Sequence, residues 1–107
     1  MAKRGVLIDL VLALITQDEQ IKMLPESWRT LAMCESSLNP EAMSPTGKFK
    51  GLFQFSQESW EFVGGRGEPQ HASVSRQYRR AKQLQEIQGW NAWPECSKKI
   101  GVSDGSK

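Results

Sequence analysis

Glu35 is the residue of this 107-residue chain whose type and position best suit chemistry. Trp28, Leu31, Ala32 and Glu35 stand at i, i+3, i+4 and i+7, so on a helix the carboxyl continues an apolar stripe and is aimed inward. Burial penalises the charged form of a carboxylate and raises its pKa, which a general acid needs if it is to hold a proton near neutral pH. Phe49, Phe53, Phe55 and Trp60 follow in sequence and could wall such a group. The plainer alternative is a Glu paired with Arg29 or Lys50, or one that faces water past the helix end. Two Cys and one His cannot complete a four-ligand zinc site of that kind, so neither a metal nor a cofactor is expected.

The elements that must position Glu35 are punctuated clearly. Pro25 opens the helix that carries the stripe, since its missing N–H would go unpaired in a first turn anyway. Residues 36–51 are rich in Ser, Asn, Pro, Thr and Gly, with turn signals at Asn39-Pro40 and Ser44-Pro45-Thr46-Gly47. Ser56 is the expected N-cap of a short helix that Gly64-Gly65 ends. A final long helix is expected from about Val74 to Gln88, with Val74, Tyr78, Ala81, Leu84 and Ile87 inward and Gly89 as its stop. Its outer face sets Arg76, Arg79, Arg80 and Lys82 against Glu86, a surplus larger than the net charge of +2 of the whole chain. At the other end, residues 6–15 are apolar except for Asp9 and begin like an export signal. Asp9 is costly in an inserted segment and residues 16–19 offer no small-residue cleavage site, so a buried first helix is expected instead. The run is also shorter than the roughly 20 residues a helix needs to cross a membrane.

A composition of 38% hydrophobic and 24% charged residues suits one soluble globular domain, and fits neither a disordered nor a membrane-spanning chain. The mild positive charge falls well short of the footprint of a dedicated nucleic-acid binder, so no nucleic acid is expected as partner. The organisation read from the pattern is a helical extension over residues 1–27, one domain over 28–101 and a flexible tail over 102–107. The fold class is mainly α, with a loop-rich middle.

Three segments recur together in a known pattern: Trp28-Arg29-Thr30-Leu31-Ala32-Met33-Cys34-Glu35-Ser36; Gln54-Phe55-Ser56 with Trp60 and Gly64-Gly65; and Gln88-Gly89-Trp90-Asn91-Ala92-Trp93-Pro94-Glu95-Cys96-Ser97. In their order and spacing, residues 28–101 resemble the lysozyme-like domain of resuscitation-promoting factors, secreted wall-cleaving proteins of actinobacteria. The middle, with Ser36-Ser37-Leu38-Asn39-Pro40 and Gly51-Leu52-Phe53-Gln54-Phe55, is closer to soluble lytic transglycosylases, which share that fold. The resemblance implies an α+β lysozyme-like fold. It also implies cleavage of the β-1,4 bond between N-acetylmuramic acid and N-acetylglucosamine, with Glu35 as catalytic acid. Glu41, Glu58 and Glu61 are the next carboxylates after Glu35 in the chain, and none matches a second catalytic position. A single-acid route therefore fits better than the two-carboxylate scheme. The product is either a 1,6-anhydro sugar or a hydrolysed end.

Further roles follow from the same resemblance. Gln54 would bind sugar, Ser36 would orient Glu35, and Gly51 would let the backbone approach the substrate. Trp60 and Trp90, with Trp93, would offer stacking faces, although packing in the core is the commoner use of such rings. Cys34 and Cys96 match the two Cys of the pattern and imply one disulfide. Expected partners are peptidoglycan glycan strands, with other phage or wall-lytic proteins beside them. The expected location is extracytoplasmic, reached by secretion or by delivery within a phage particle or lysis system. The rival reading is a non-catalytic wall-binding or partner-binding module on the same scaffold. For the basic helix face the readings are, in order of preference, simple solvation, attraction to anionic wall polymers and binding of nucleic acid.

Overall fold

Thr16 caps the first described helix, α1 (Gln17–Lys22), its Oγ1 accepting the Glu19 N–H at 3.2 Å. The computed structural model describes residues 15–102, so the apolar first helix and the tail expected from the sequence lie outside the described residues. Helix α2 (Glu26–Ser36) follows Pro25 and stops where Ser37 and Leu38 both turn left-handed, at φ 55° and 63°. Ser56 caps α3 (Gln57–Phe62) by accepting the Ser59 N–H at 3.1 Å, as expected. Ser73 caps α4 (Val74–Gln88), and Gly89 ends it. That long helix is not the last: a 3₁₀ turn (Gly89–Ala92) leads into α5 (Pro94–Ile100), with Pro94 again in a first turn. Among the described residues, β-structure amounts to two isolated bridges, Met43 with Lys50 and Lys50 with Phe55. The domain is thus mainly helical with a turn-rich middle, as a lysozyme-like fold requires.

Trp28 organises the core. Its ring meets Phe53, Tyr78 and Trp93 edge-on at 5.6–5.7 Å and Trp90 at a tilt at 4.8 Å. Each such pair contributes about 0.5–1.5 kcal/mol beyond area burial, so four of them anchor α2 against the middle turns and the C-terminal segment. Ile21 and Leu24, upstream of the boundary expected at Trp28, are buried in the same cluster. On α4 the inward stripe is Val74, Gln77, Ala81 and Leu84, and Ile87 is 60% exposed, contrary to expectation. At about 100° per residue, Ile87 falls more than a quarter-turn from the centre of that stripe.

Gln77 is the polar residue inside it, fully buried. Its Oε1 accepts the Leu52 N–H at 2.7 Å, and its Nε2 donates to the carbonyls of Pro40 (3.1 Å) and Ala72 (2.9 Å). One amide therefore ties α4 to three places in the loops. Gly51 owes its identity to this hub: at φ 85°, an added Cβ would lie 2.4 Å from Gln77 Oε1. Gly51→Ala is expected to cost about 2–4 kcal/mol, from left-handed strain plus displacement of a buried amide. Urea unfolding of a Gly51→Ala, Gln77→Ala cycle checks it. The cost should shrink in the Gln77→Ala background to the backbone share, and an undiminished cost would sink the account.

Candidate active site

Glu35 sits in the last turn of α2, next to Cys34 and two residues before the left-handed Ser37. Trp28, Leu31 and Ala32 on its face are buried, and Glu35 is half-buried, where the stripe runs out of the core into a cleft. The cleft holds about 380 Å³ and is lined by Glu35, Phe49, Gln54, Ala92, Trp93, Pro94 and Glu95. Three separate stretches of chain therefore meet at the carboxyl. The Cys34–Cys96 disulfide, with Cα atoms 5.8 Å apart, joins α2 to α5 directly behind it. Because Glu35 follows one bridged Cys and Glu95 precedes the other, the bridge holds both carboxylates at one cleft.

The Glu35 pKa is pushed up from 4.5 to about 7, first by burial and then by the negative charge of Glu95. Neither cation that could have paired with it does so. Arg29 Nη1 donates to the carbonyls of Lys22 (3.1 Å) and Leu24 (3.2 Å), and Lys50 Nζ pairs with Glu68 at 2.7 Å. An acid of this kind is protonated below about pH 7 and loses its proton above it. The rate of a step that needs its proton is expected to fall as pH rises through about 7. Glu95→Gln removes the charge contribution only, so the alkaline limb of a pH–rate profile should move to lower pH while most of the elevation persists. A limb that moved to higher pH, or did not move, would show that the charge of Glu95 does not raise the Glu35 pKa.

The turn from Lys50 to Phe55 closes with paired bonds, each residue's N–H on the other's carbonyl at 2.9 Å. Gln54 lies within it at φ 53°, a left-handed conformation uncommon for a side-chain-bearing residue. Its Nε2 donates to the Gly51 carbonyl at 2.9 Å, which fixes the amide at the cleft wall. Trp93 Nε1 donates to the Phe53 carbonyl at 2.9 Å, so the turn is also clamped from the C-terminal segment.

Not every residue expected at the site arrives there. The Ser36 hydroxyl is within reach of the Ala32 (3.0 Å) and Leu52 (2.7 Å) carbonyls; it binds α2 to the turn and does not orient Glu35. The close approach at Gly51 is to Gln77, not to the cleft. Trp60 is 2% exposed and donates Nε1 to the Arg66 carbonyl at 3.2 Å. A Cβ on Gly65 would strike its ring at 2.4 Å, so Trp60 presents no face to the Glu35 cleft. Trp90 is half-buried against Trp28 and also lies outside the lining. Trp93 is the tryptophan that reaches it. Of the four rings that could wall Glu35, Phe49 is the one that lines the cleft, where it is 41% exposed. One contributor escaped the sequence reading: Glu95, brought in from 60 residues away along the chain, shows no periodicity that flags it. Among the described residues, no helix is long and apolar enough to cross a membrane, and no three His, Cys, Asp or Glu side chains group as a metal site requires.

Comparison with known proteins narrows the reading. A family model described as a transglycosylase-like domain matches residues 24–96. The chain is 44% identical over 78 residues to the resuscitation-promoting factor Rpf of Micrococcus luteus, covering 73% of this chain and 34% of that protein. It is 41% identical over 70 residues to resuscitation-promoting factor RpfD of Mycobacterium tuberculosis, covering 65% and 45% of the two chains. With RpfC of the same species it shares 38% identity over 76 residues, covering 71% and 54%. The chain spans a third to a half of the length of these relatives.

Proposed function

The chain belongs to the transglycosylase-like domain family and is a relative of the resuscitation-promoting factors, and on that premise we propose that it cleaves peptidoglycan at the β-1,4 bond between N-acetylmuramic acid and N-acetylglucosamine. The observation that carries this reading is Glu35: a half-buried carboxyl with a pKa near 7, free of cationic partners among the described residues, in a cleft open to an extended ligand. Protonated Glu35 donates to the departing glycosidic oxygen. The N-acetyl group of the cleaved sugar assists from the other side of the bond, which removes the need for a second carboxylate close by. Glu35, now ionised, takes a proton either from the muramyl 6-hydroxyl, closing a 1,6-anhydro ring, or from a water. The fixed Gln54 amide hydrogen-bonds the sugar, and Phe49 offers it an apolar face.

The substrate places the working protein outside the cytoplasm, and the disulfide agrees with an oxidising compartment. Delivery is by secretion or with a phage particle or lysis system. The test is digestion of purified wall by wild type and Glu35→Gln, with mass spectrometry of what is released. Anhydro products, lighter by one water than hydrolysed ends, identify the transglycosylase outcome. Wall binding without release from the wild type would mean a non-catalytic binding module instead.

A further inference from the structure

A second concavity lies between the end of α3, the connection through residues 63–72 and the first turns of α4. It holds about 400 Å³ and shares no lining residue with the Glu35 cleft. Arg66, Arg76, Arg79 and Arg80 all line it. Arg76, Arg79 and Arg80 stand at i, i+3 and i+4, so one face of α4 brings three guanidiniums together. Arg80 is the fixed member: its Nη1 donates to the Val63 carbonyl at 2.8 Å and to Gln83 Oε1 at 3.0 Å. The other three are exposed. Glu68 is the acid in the lining, and its carboxylate accepts from Lys50 Nζ at 2.7 Å, which holds it below the usual carboxylate range. Its charge is therefore already compensated, and the guanidiniums are left unbalanced.

The electrostatics of α4 point the same way. A helix N-terminus carries partial positive charge and favours acidic residues in its first turn. The first turn of α4 has none, and Arg76 stands three residues after the Ser73 cap, where a Glu would complete a capping box. The dipole and the guanidiniums thus add at one place and repel one another. Sequences break local stability rules chiefly at functional or strained sites, and this break falls in a concave one.

We propose that this concavity binds a phosphodiester polyanion of the cell wall. Guanidinium forks pair with oxyanions in bidentate geometry, and four of them exceed what one carboxylate can satisfy but suit phosphates repeated along a flexible chain. A duplex nucleic acid is read by an element that protrudes into a groove, whereas these groups line a recess. The site stands on its own geometry; only the choice of a wall-borne polymer rests on the proposed activity.

The test is direct titration of the whole protein with soluble poly(glycerol phosphate), with charge-matched polyglutamate and a single-stranded oligonucleotide as parallel arms. Binding should weaken linearly with the logarithm of salt concentration. Arg76→Gln with Arg79→Gln is expected to weaken it about tenfold or more. Lys98→Gln with Lys99→Gln removes the same charge from α5 and should change it less than about twofold. Equal losses in the two double variants would reduce the effect to net charge and overturn the site. Polyglutamate or oligonucleotide binding as tightly, with the same dependence on arginine, would overturn the assignment to a wall phosphodiester, and so would absence of binding. Because no turnover is read, a protein that binds the polymer yet releases no muropeptides refutes the glycan-cleaving proposal and leaves this one standing.

Discussion

Glu35→Gln is expected to reduce release of muropeptides from wall by about 10³-fold or more, since it removes the one group that both gives and takes the proton in the proposed route. Gln matches Glu in shape but neither ionises nor donates a labile proton, so the cleft stays intact while the chemistry stops. The same variant carries a control on folding. The folded-state pKa of Glu35 is raised above its ordinary value of 4.5 to about 7, so ionising it costs more in the folded protein than in the unfolded one. Stability of the wild type therefore declines as pH rises from about 4.5 through about 7, and Gln is free of that decline. At pH 8 the variant should melt at the same temperature as the wild type or higher, and the difference should vanish toward pH 4. Activity lost together with stability at pH 8 would mean that Glu35 serves folding. Undiminished activity would remove it from the mechanism altogether.

Replacing both cysteines, as Cys34→Ser with Cys96→Ser, should cost about 4 kcal/mol for a loop of 62 residues in the chain-entropy account. A small domain has about 5–15 kcal/mol in total, so this bond supplies a large fraction of the stability. The cost falls at the site as well, because Glu35 and Glu95 are the immediate neighbours of the bridged residues. Urea unfolding should show a lower midpoint and a steeper dependence on denaturant, since the uncrosslinked chain exposes more surface. Under conditions where the variant is still folded, its turnover should drop below the wild type's. A midpoint within error of the wild type's would show that the bond is incidental.

Two helices were legible in the sequence from a cap or a stop that is a local matter. Ser56 and Gly89 each act on a neighbouring backbone group, and α3 begins and α4 ends where the pattern says. The stripe from Trp28 to Glu35 was legible for the same reason, since helical spacing alone decides which side chains share a face. Gln77 was not, because its value lies in three loop groups that only the folded chain brings within reach. Gly51 carried a visible signal, yet the close neighbour that explains it in the folded chain is that distant amide. Ser36 and Trp60 show the converse: residue types suited to binding were used by the fold as a tie to Leu52 and as a packed ring.

What the sequence determined by itself is the carboxyl to watch and the helix that carries it, through spacing and composition that act over a few residues. The pairing of the two cysteines came from the resemblance of the motifs in their order. Tertiary structure alone decided which groups surround that carboxyl: Phe49 and Glu95 in, Trp60 and Trp90 out, Arg29 and Lys50 engaged elsewhere. The pKa of Glu35 belongs to that second class, because desolvation and the field of Glu95 depend on what lies nearby in space, and the chain supplies those neighbours from three separate stretches.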